Sequence, residues 1–325
     1  MQSLMSNGNA HSRYSWTFPK FLSLSTLRAE QSVQFLFRSL LSVYVCILVL
    51  LDVFYIMPVL FSGYRVTFIV YFSIGLYLLV GFVYNAIQVV RKDPSIRGML
   101  LSNKVTRHWT YCVSCQSPRP PRTHHCHVCN ICVLRRDHHC VFLAQCIGLA
   151  NWHHFFSLLV FGAFGAALAS RFNLTYVFHK HFLPDDWSVG FRVLCMIAPP
   201  GAFWILRQIT LWQTLVFAMT TTCLLFCCFM FSFGFYYISL ISCNETLSDR
   251  TARNKALAVD PSSRTMETEA ILANATAHIY DVGWKANISQ FLGHHWFLTV
   301  LVPFTPCTLT TDGLSFPRSD DVKCR

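Results

Sequence analysis

Two uninterrupted apolar runs constrain this chain more than any other feature. Val66 to Val90 and Leu211 to Ile241 carry no formal charge, and at 1.5 Å of rise per residue each is long enough to cross a hydrocarbon core about 30 Å thick. Ser39 to Ser62 is broken only by Asp52, and Phe155 to Phe178 only by Arg171 near its end. Four membrane spans are therefore predicted. The overall balance of 54% hydrophobic and 13% charged residues agrees, because it lies outside the soluble range. Ser188 to Leu206 is also apolar, but Arg192 and the run Pro199, Pro200, Gly201 predict a re-entrant or broken segment on the non-cytosolic side. The first 38 residues are polar and irregular, without the short apolar core of a cleaved leader, so the first span is expected to remain as an anchor.

The net charge of +11 would suit nucleic acid, but its placement argues against such a partner. Nine Lys or Arg residues lie between Arg91 and His153, eight beyond Ile241 and four before Ser39, whereas the 62–65 turn has only Arg65. This positive-inside distribution assigns the N-terminus, the central segment and the tail to the cytosol. The expected division is a cytosolic segment 1–38, spans one and two over 39–90, a cytosolic cysteine-rich domain 91–153, spans three and four with the broken segment over 154–241, and a cytosolic region 242–325. Asp52 should face the bundle interior or lie near an end, since a lipid-facing charge at mid-bilayer is costly. The sequon at Asn173 overlaps a span, and those at Asn244, Asn274 and Asn287 fall in the cytosolic tail, so no glycan is expected. No internal repeat is evident.

Seven of the fifteen cysteines lie between Cys112 and Cys146. In a cytosolic loop they are expected to serve metal binding or catalysis rather than disulfides. The spacing is Cys112-x2-Cys115, His125, Cys126, Cys129, Cys132, His138, His139, Cys140 and Cys146. Two tetrahedral zinc sites need eight ligands, and Cys-x2-Cys knuckles supply them well. Six cysteines and two histidines fill those positions, which leaves Cys140 over. A free cysteine beside histidines and two dications is a candidate nucleophile. The bland alternative is an inert zinc ribbon.

The run Asp137-His138-His139-Cys140, with the flanking spacing from Cys112 to Cys146, resembles the cysteine-rich domain of DHHC-type protein palmitoyltransferases, in a divergent branch. The resemblance implies that Cys112, Cys115, His125 and Cys132 hold one zinc and that Cys126, Cys129, His139 and Cys146 hold the other. It further implies Cys140 as nucleophile, His138 as general base and Asp137 as the carboxylate orienting His138. Asp93-Pro94-Ser95 is similar to the family's Asp-Pro-Gly motif, Ser242-Cys243-Asn244-Glu245 to its Thr-Thr-x-Glu, and Tyr280 to Gly283 with Asn287 to its tail motif. Val141 and Phe142 stand where most members have Pro-Trp, and Gln145 where they have Asn.

The implied architecture is an all-α polytopic membrane protein, a four-helix transmembrane bundle with a cytosolic double-zinc domain between helices two and three. The implied function is protein S-acyl transfer from acyl-CoA to cytosolic cysteines of membrane-associated proteins, in the endoplasmic reticulum or Golgi, with two structural Zn2+ ions. An acyl chain should sit in a cavity between the helices. The rival is a membrane zinc-binding scaffold without catalysis. His124, His127, His153 and His154 are left out of the metal sites, and Cys223, Cys227 and Cys228 are read as packing residues. Cys307 and Cys324 are candidates for acylation near the membrane surface. Arg135 and Arg136 are weighed as attractors of CoA phosphates against membrane-surface charge. Trp296 to Phe304 is too short to span and should dock the tail.

Overall fold

The spans pack because the helices that carry them are apolar around most of their circumference and meet through small residues. The computed structural model describes residues 24–99, 109–178, 187–198, 200–266, 269, 272 and 279–319; Asn274, Cys324 and most of the 179–187 loop lie outside them. Among the described residues, four helices are long and apolar enough to cross a membrane: Glu30–Leu60, Arg65–Arg91, Trp152–Val177 and Leu211–Ser242.

The first begins as α1 (Leu24–Leu51), passes through a π-helical turn (Asp52–Ile56) and ends in α2 (Met57–Leu60). Pro58 lacks an N–H and its ring crowds the carbonyl four residues back, and the wider π turn relieves both problems. The same turn carries Asp52, which is buried and accepts a hydrogen bond from Asn173 Nδ2 at 3.0 Å. Asp52 thus faces the bundle interior, as the cost of a lipid-facing charge requires. The helix also starts well before Ser39, so the stretch from Leu24 to Arg38 continues the first span as helix rather than forming an irregular lead.

Helices α3 (Arg65–Arg91), α4 (Trp152–Val177) and α7 (Leu211–Ser242) form the rest of the bundle. Gly81 allows the Phe161 ring to lie where a Cβ would come within 2.4 Å, and Gly162 admits Phe82 in the same way at 3.1 Å. Alternating small and large side chains lets the α3 and α4 backbones approach closely. Between α4 and α7 the chain forms α5 (Val189–Ile197) and α6 (Pro200–Ile205). Both are far too short to span, in keeping with the broken segment predicted at the prolines.

The segment between α3 and α4 folds into three antiparallel hairpins, β1 (Thr110–Cys112) with β2 (Ser117–Arg119), β3 (His124–Cys126) with β4 (Ile131–Val133), and β5 (His138–Cys140) with β6 (Gln145–Ile147). They repeat with a period of fourteen residues: Cys112, Cys126 and Cys140 are equivalent, as are the turn residues Gln116, Asn130 and Ala144, at φ 49°, 50° and 49°. The expectation of no internal repeat is thereby corrected. The repeat is hidden because only the middle unit is complete: Tyr111 and Pro118 replace the histidine and second cysteine in the first unit, and Leu143 replaces the knuckle cysteine in the last.

Asp93-Pro94-Ser95 ties these hairpins to the end of α3. Pro94 O accepts from Leu134 N at 2.9 Å, Ile96 N donates to Cys132 O at 3.1 Å, and Asp93 closes a turn on Ser95. Asn151 completes the joint by donating to Val89 O at 3.1 Å and Cys146 O at 2.9 Å. After α7 come α8 (Leu247–Leu257), a short 3-10 turn (Pro261–Ser263), α9 (Trp284–Leu292) and α10 (Trp296–Leu301). The tail docks on the bundle: Ser157 Oγ donates to Thr299 O, Tyr77 hydroxyl to Leu301 O, and Phe304 packs on Tyr84.

Candidate active site and metal centres

Side chains alternate along a strand, and that rule sorts the histidine-cysteine run into two chemistries. His138 and Cys140 share one face of β5, and His139 points to the other. The register pairs His139 with Cys146 and His125 with Cys132, so each pair projects from one side of its hairpin. Knuckles Cys112-x2-Cys115 and Cys126-x2-Cys129 meet those pairs.

Two clusters result. Cys112, Cys115, His125 and Cys132 offer one ligand atom each within 4.8 Å of one another, and Cys126, Cys129, His139 and Cys146 do the same. His125 Nδ1 lies 3.3 Å from Cys115 Sγ and 3.7 Å from Cys112 Sγ. His139 Nδ1 lies 3.3 Å from Cys129 Sγ and 3.6 Å from Cys146 Sγ. Three thiols and one imidazole nitrogen converging on a common point are the donor set of a structural zinc site, so both clusters can hold that ion. Each site takes the knuckle of one hairpin and the paired histidine and cysteine of the next. Cys140 occupies the knuckle position of the third hairpin, after which the chain enters α4, and it is left outside both clusters.

Around Cys140 the surroundings are apolar and come from the bundle. The thiol is buried in one cluster with Val89, Trp152, Phe155, Met230 and Tyr237. His138 Nδ1 is 2.8 Å from Asp137 Oδ2 and 3.0 Å from the Tyr237 hydroxyl, and its ring meets Phe155 edge to face at 5.0 Å. Burial alone would suppress the imidazolium. Hydrogen bonds to Asp137 and Cys140 outweigh it and push His138 up to about 9.

Asp137 is itself held firmly. Its Oδ2 accepts from Tyr237 at 2.5 Å, and its Oδ1 accepts from the Leu247 backbone N–H at 2.8 Å. Leu247 opens α8, so the carboxylate sits on a helix N-terminus, where the macrodipole favours negative charge. Ser248 Oγ donates to Asp137 O at 2.7 Å. Tyr237, Leu247 and Ser248 were not singled out from the sequence. Tyr237 reads there as one more aromatic in an apolar run, and no local signal marks it.

The flanking residues settle several readings. Arg135 is fully buried, with its guanidinium carbon 3.9 Å from the Phe291 ring centre and Nη1 donating to Gln290 O at 2.7 Å. It clamps α9 and is not surface charge. Arg136 donates to Ser248 Oγ at 3.0 Å. Glu245 pairs with Arg250 at 2.9 Å and with Arg253, and buried Asn287 donates to Ser242 O and Asp281 Oδ1. Phe142 packs between Phe37 and Phe229. His153 and His154 are buried in α4, away from both metal clusters. Deeper in the bundle a cavity of about 290 Å3 lies among α1, α3, α4 and α7, lined by Leu48, Gly75, Leu79, Gly165 and Phe226. Phe226 also packs against the cluster that contains Cys140.

Comparison with known proteins agrees with this arrangement. The family model described as DHHC palmitoyltransferase matches residues 105–254. A probable palmitoyltransferase ZDHHC24 of Danio rerio is 30% identical over 242 residues, covering 74% of this chain and 72% of the relative. Its Rattus norvegicus counterpart is 28% identical over 257 residues, covering 77% and 79%. The probable protein S-acyltransferase 15 of Arabidopsis thaliana is 29% identical over 228 residues, covering 70% and 77%. With the hairpins, the paired metal clusters and the Asp137-His138-His139-Cys140 run all inside the matched region, the chain belongs to the DHHC palmitoyltransferase family.

Proposed function

We propose that this chain is a protein S-acyltransferase that passes a long-chain acyl group from acyl-CoA to cytosolic cysteines of membrane-associated proteins, through a thioester on Cys140. The observation that carries the reading is the strand alternation that sets His138 and Cys140 on the face opposite the metal-binding His139. In this reading Nδ1 of His138 is engaged by Asp137 and Tyr237, so Nε2 is the nitrogen left to take the thiol proton. The Cys140 thiolate attacks the thioester carbonyl, and the CoA sulfur leaves with the proton returned by His138. A substrate thiol, deprotonated in turn, attacks the Cys140 thioester and releases the cysteine. Each step exchanges one thioester for another of similar energy.

The eight ligands are proposed to hold two zinc ions, Cys112, Cys115, His125 and Cys132 for one and Cys126, Cys129, His139 and Cys146 for the other. Bound zinc would supply folding free energy that a loop of this size lacks. The acyl chain is proposed to lie in the cavity between the spans, since each buried CH2 contributes about 0.8 kcal/mol. The basic flanks of the spans support a cytosolic catalytic domain over 91–153 with 1–38 and 242–325 on the same side, and the membrane is proposed to be that of the endoplasmic reticulum or Golgi.

The test is single-turnover labelling of the purified protein with a radioactive acyl-CoA. The wild type should form a hydroxylamine-sensitive acyl-enzyme and Cys140→Ala none. Undiminished labelling of Cys140→Ala would move the nucleophile elsewhere, and an unlabelled wild type with full zinc content would favour the scaffold.

A further inference from the structure

The two metal clusters are built alike except in one respect. In the second hairpin the turn residue Asn130 stands beside the ring of His125, within the same unit. The equivalent turn residue of the third hairpin is Ala144, which has nothing to offer His139. The imidazole of His139 is nonetheless partnered: its Nε2 lies 3.0 Å from Gln34 Oε1, and Gln34 is only 7% exposed. Gln34 belongs to α1, 105 residues away in sequence.

Gln34 is one of a row. Gln31, Gln34 and Arg38 recur at three- and four-residue spacing and so lie on one face of α1. Gln31 Nε2 donates to Val128 O at 3.3 Å, in the turn of the second knuckle, and Arg38 Nη1 donates to Leu143 O at 3.3 Å, in the turn that follows Cys140. Phe37 packs on Phe142 in the same turn, with ring centres 5.9 Å apart. One helical face therefore touches both hairpins that build the second cluster.

We infer that Gln34 is a positioning residue that replaces the missing turn asparagine and makes the first span a part of the second metal site. An acceptor on Nε2 fixes the tautomer in which Nδ1 presents its lone pair to the sulfurs, and such partners typically change metal affinity by about 10- to 100-fold. His139 sits between His138 and Cys140, so the orientation of β5 follows the position of α1. This inference rests on the proposal that the clusters hold zinc.

The experiment follows zinc release from the full-length protein in detergent to a chromophoric chelator, with total zinc measured first. Wild type should hold two zinc ions per chain. Gln34→Ala should release one of them about tenfold faster and leave the other unchanged, and Asn130→Ala should accelerate only the other. Gln34→Glu keeps the acceptor and should release as wild type does. The decisive variant is Gln34→Ala with Ala144→Asn, which restores the partner from within the hairpin at a left-handed position that asparagine tolerates; it should return release to the wild-type rate. Wild-type release from Gln34→Ala, or no recovery in the double variant, would overturn the inference. A wild type without zinc would instead overturn the metal reading on which it rests.

Discussion

Asp137 accepts hydrogen bonds from His138, from the Tyr237 hydroxyl and from the first N–H of α8, and at the scale of single residues this triple anchorage decides how the site responds to change. Tyr237→Phe removes one donor from a buried carboxylate, a loss of about 1.5 kcal/mol or more for a charged acceptor. Acyl-enzyme formation should slow roughly tenfold with zinc content unchanged, as single-turnover labelling would read. Asp137→Asn should be more impaired yet keep residual activity, because the imidazole survives in a poorer orientation. For His138→Ala the sign of the pH effect follows from the thiol alone, since the imidazole is absent. With the base gone, the Cys140 thiolate must form unaided, so labelling should rise with pH until the thiol has ionised, about tenfold per unit. A flat profile in His138→Ala would remove His138 from the proton path. Asp137, His138 and Cys140 could be named as candidates because they fall in one short run that resembles the family's motif. Tyr237 could not, because its role depends on a span folding back over the loop a hundred residues later.

At the scale of elements, the three hairpins separate the proposed ligands from the proposed nucleophile by position in a repeat. Cys129→Ser removes a ligand from the middle unit and should lower zinc to about one ion per chain and loosen the loop. Cys140→Ser lies at the vacant knuckle and should leave zinc at two. Equal zinc loss in both, by elemental analysis, would contradict this partition. The joint between the hairpins and α8 is set by Arg122, which donates to Asp249 Oδ2 at 2.8 Å and to Asn244 and stacks over Tyr280 and Phe316. Burial works against the Asp249 charge, but the Arg122 guanidinium holds the carboxyl well below the usual carboxylate range. The stability it gives is present above the ordinary carboxylate pKa and is lost as pH falls through the depressed value. Arg122→Ala should therefore lower the melting temperature at neutral pH, since it leaves the part-buried Asp249 carboxylate without its guanidinium partner. The spacing marked a dense set of candidate ligands, their division into two sets of four came with the family resemblance, and the structure gathers each set at one point. The hairpin repeat could not be read from the sequence, because two of its three units have lost defining residues, and neither could the true start of α1, because a polar helix face has no apolar signature.

At the scale of the whole molecule, the four spans followed directly from hydropathy and length. How the tail returns to the site did not, since Phe291 and Val300 have no sequence mark that ties them to Cys140. The proposed orientation is tested by epitope tags at both ends. Each should become accessible when only the plasma membrane is opened, whereas a tag in the 179–187 loop should stay protected until internal membranes are dissolved. A protected C-terminus would mean that 188–206 crosses the bilayer. Phe291, Leu292 and Val300 pack in the same buried cluster as Cys140 and Tyr237, and that shared core has a consequence for biosynthesis. The spans and hairpins leave the ribosome before α9 and α10 do, so a chain still being made carries its thiol in a half-built wall. Reactivity toward acyl donors should arrive only once the tail has been synthesised and docked, which keeps an unfinished protein from acylating its neighbours at the translocon.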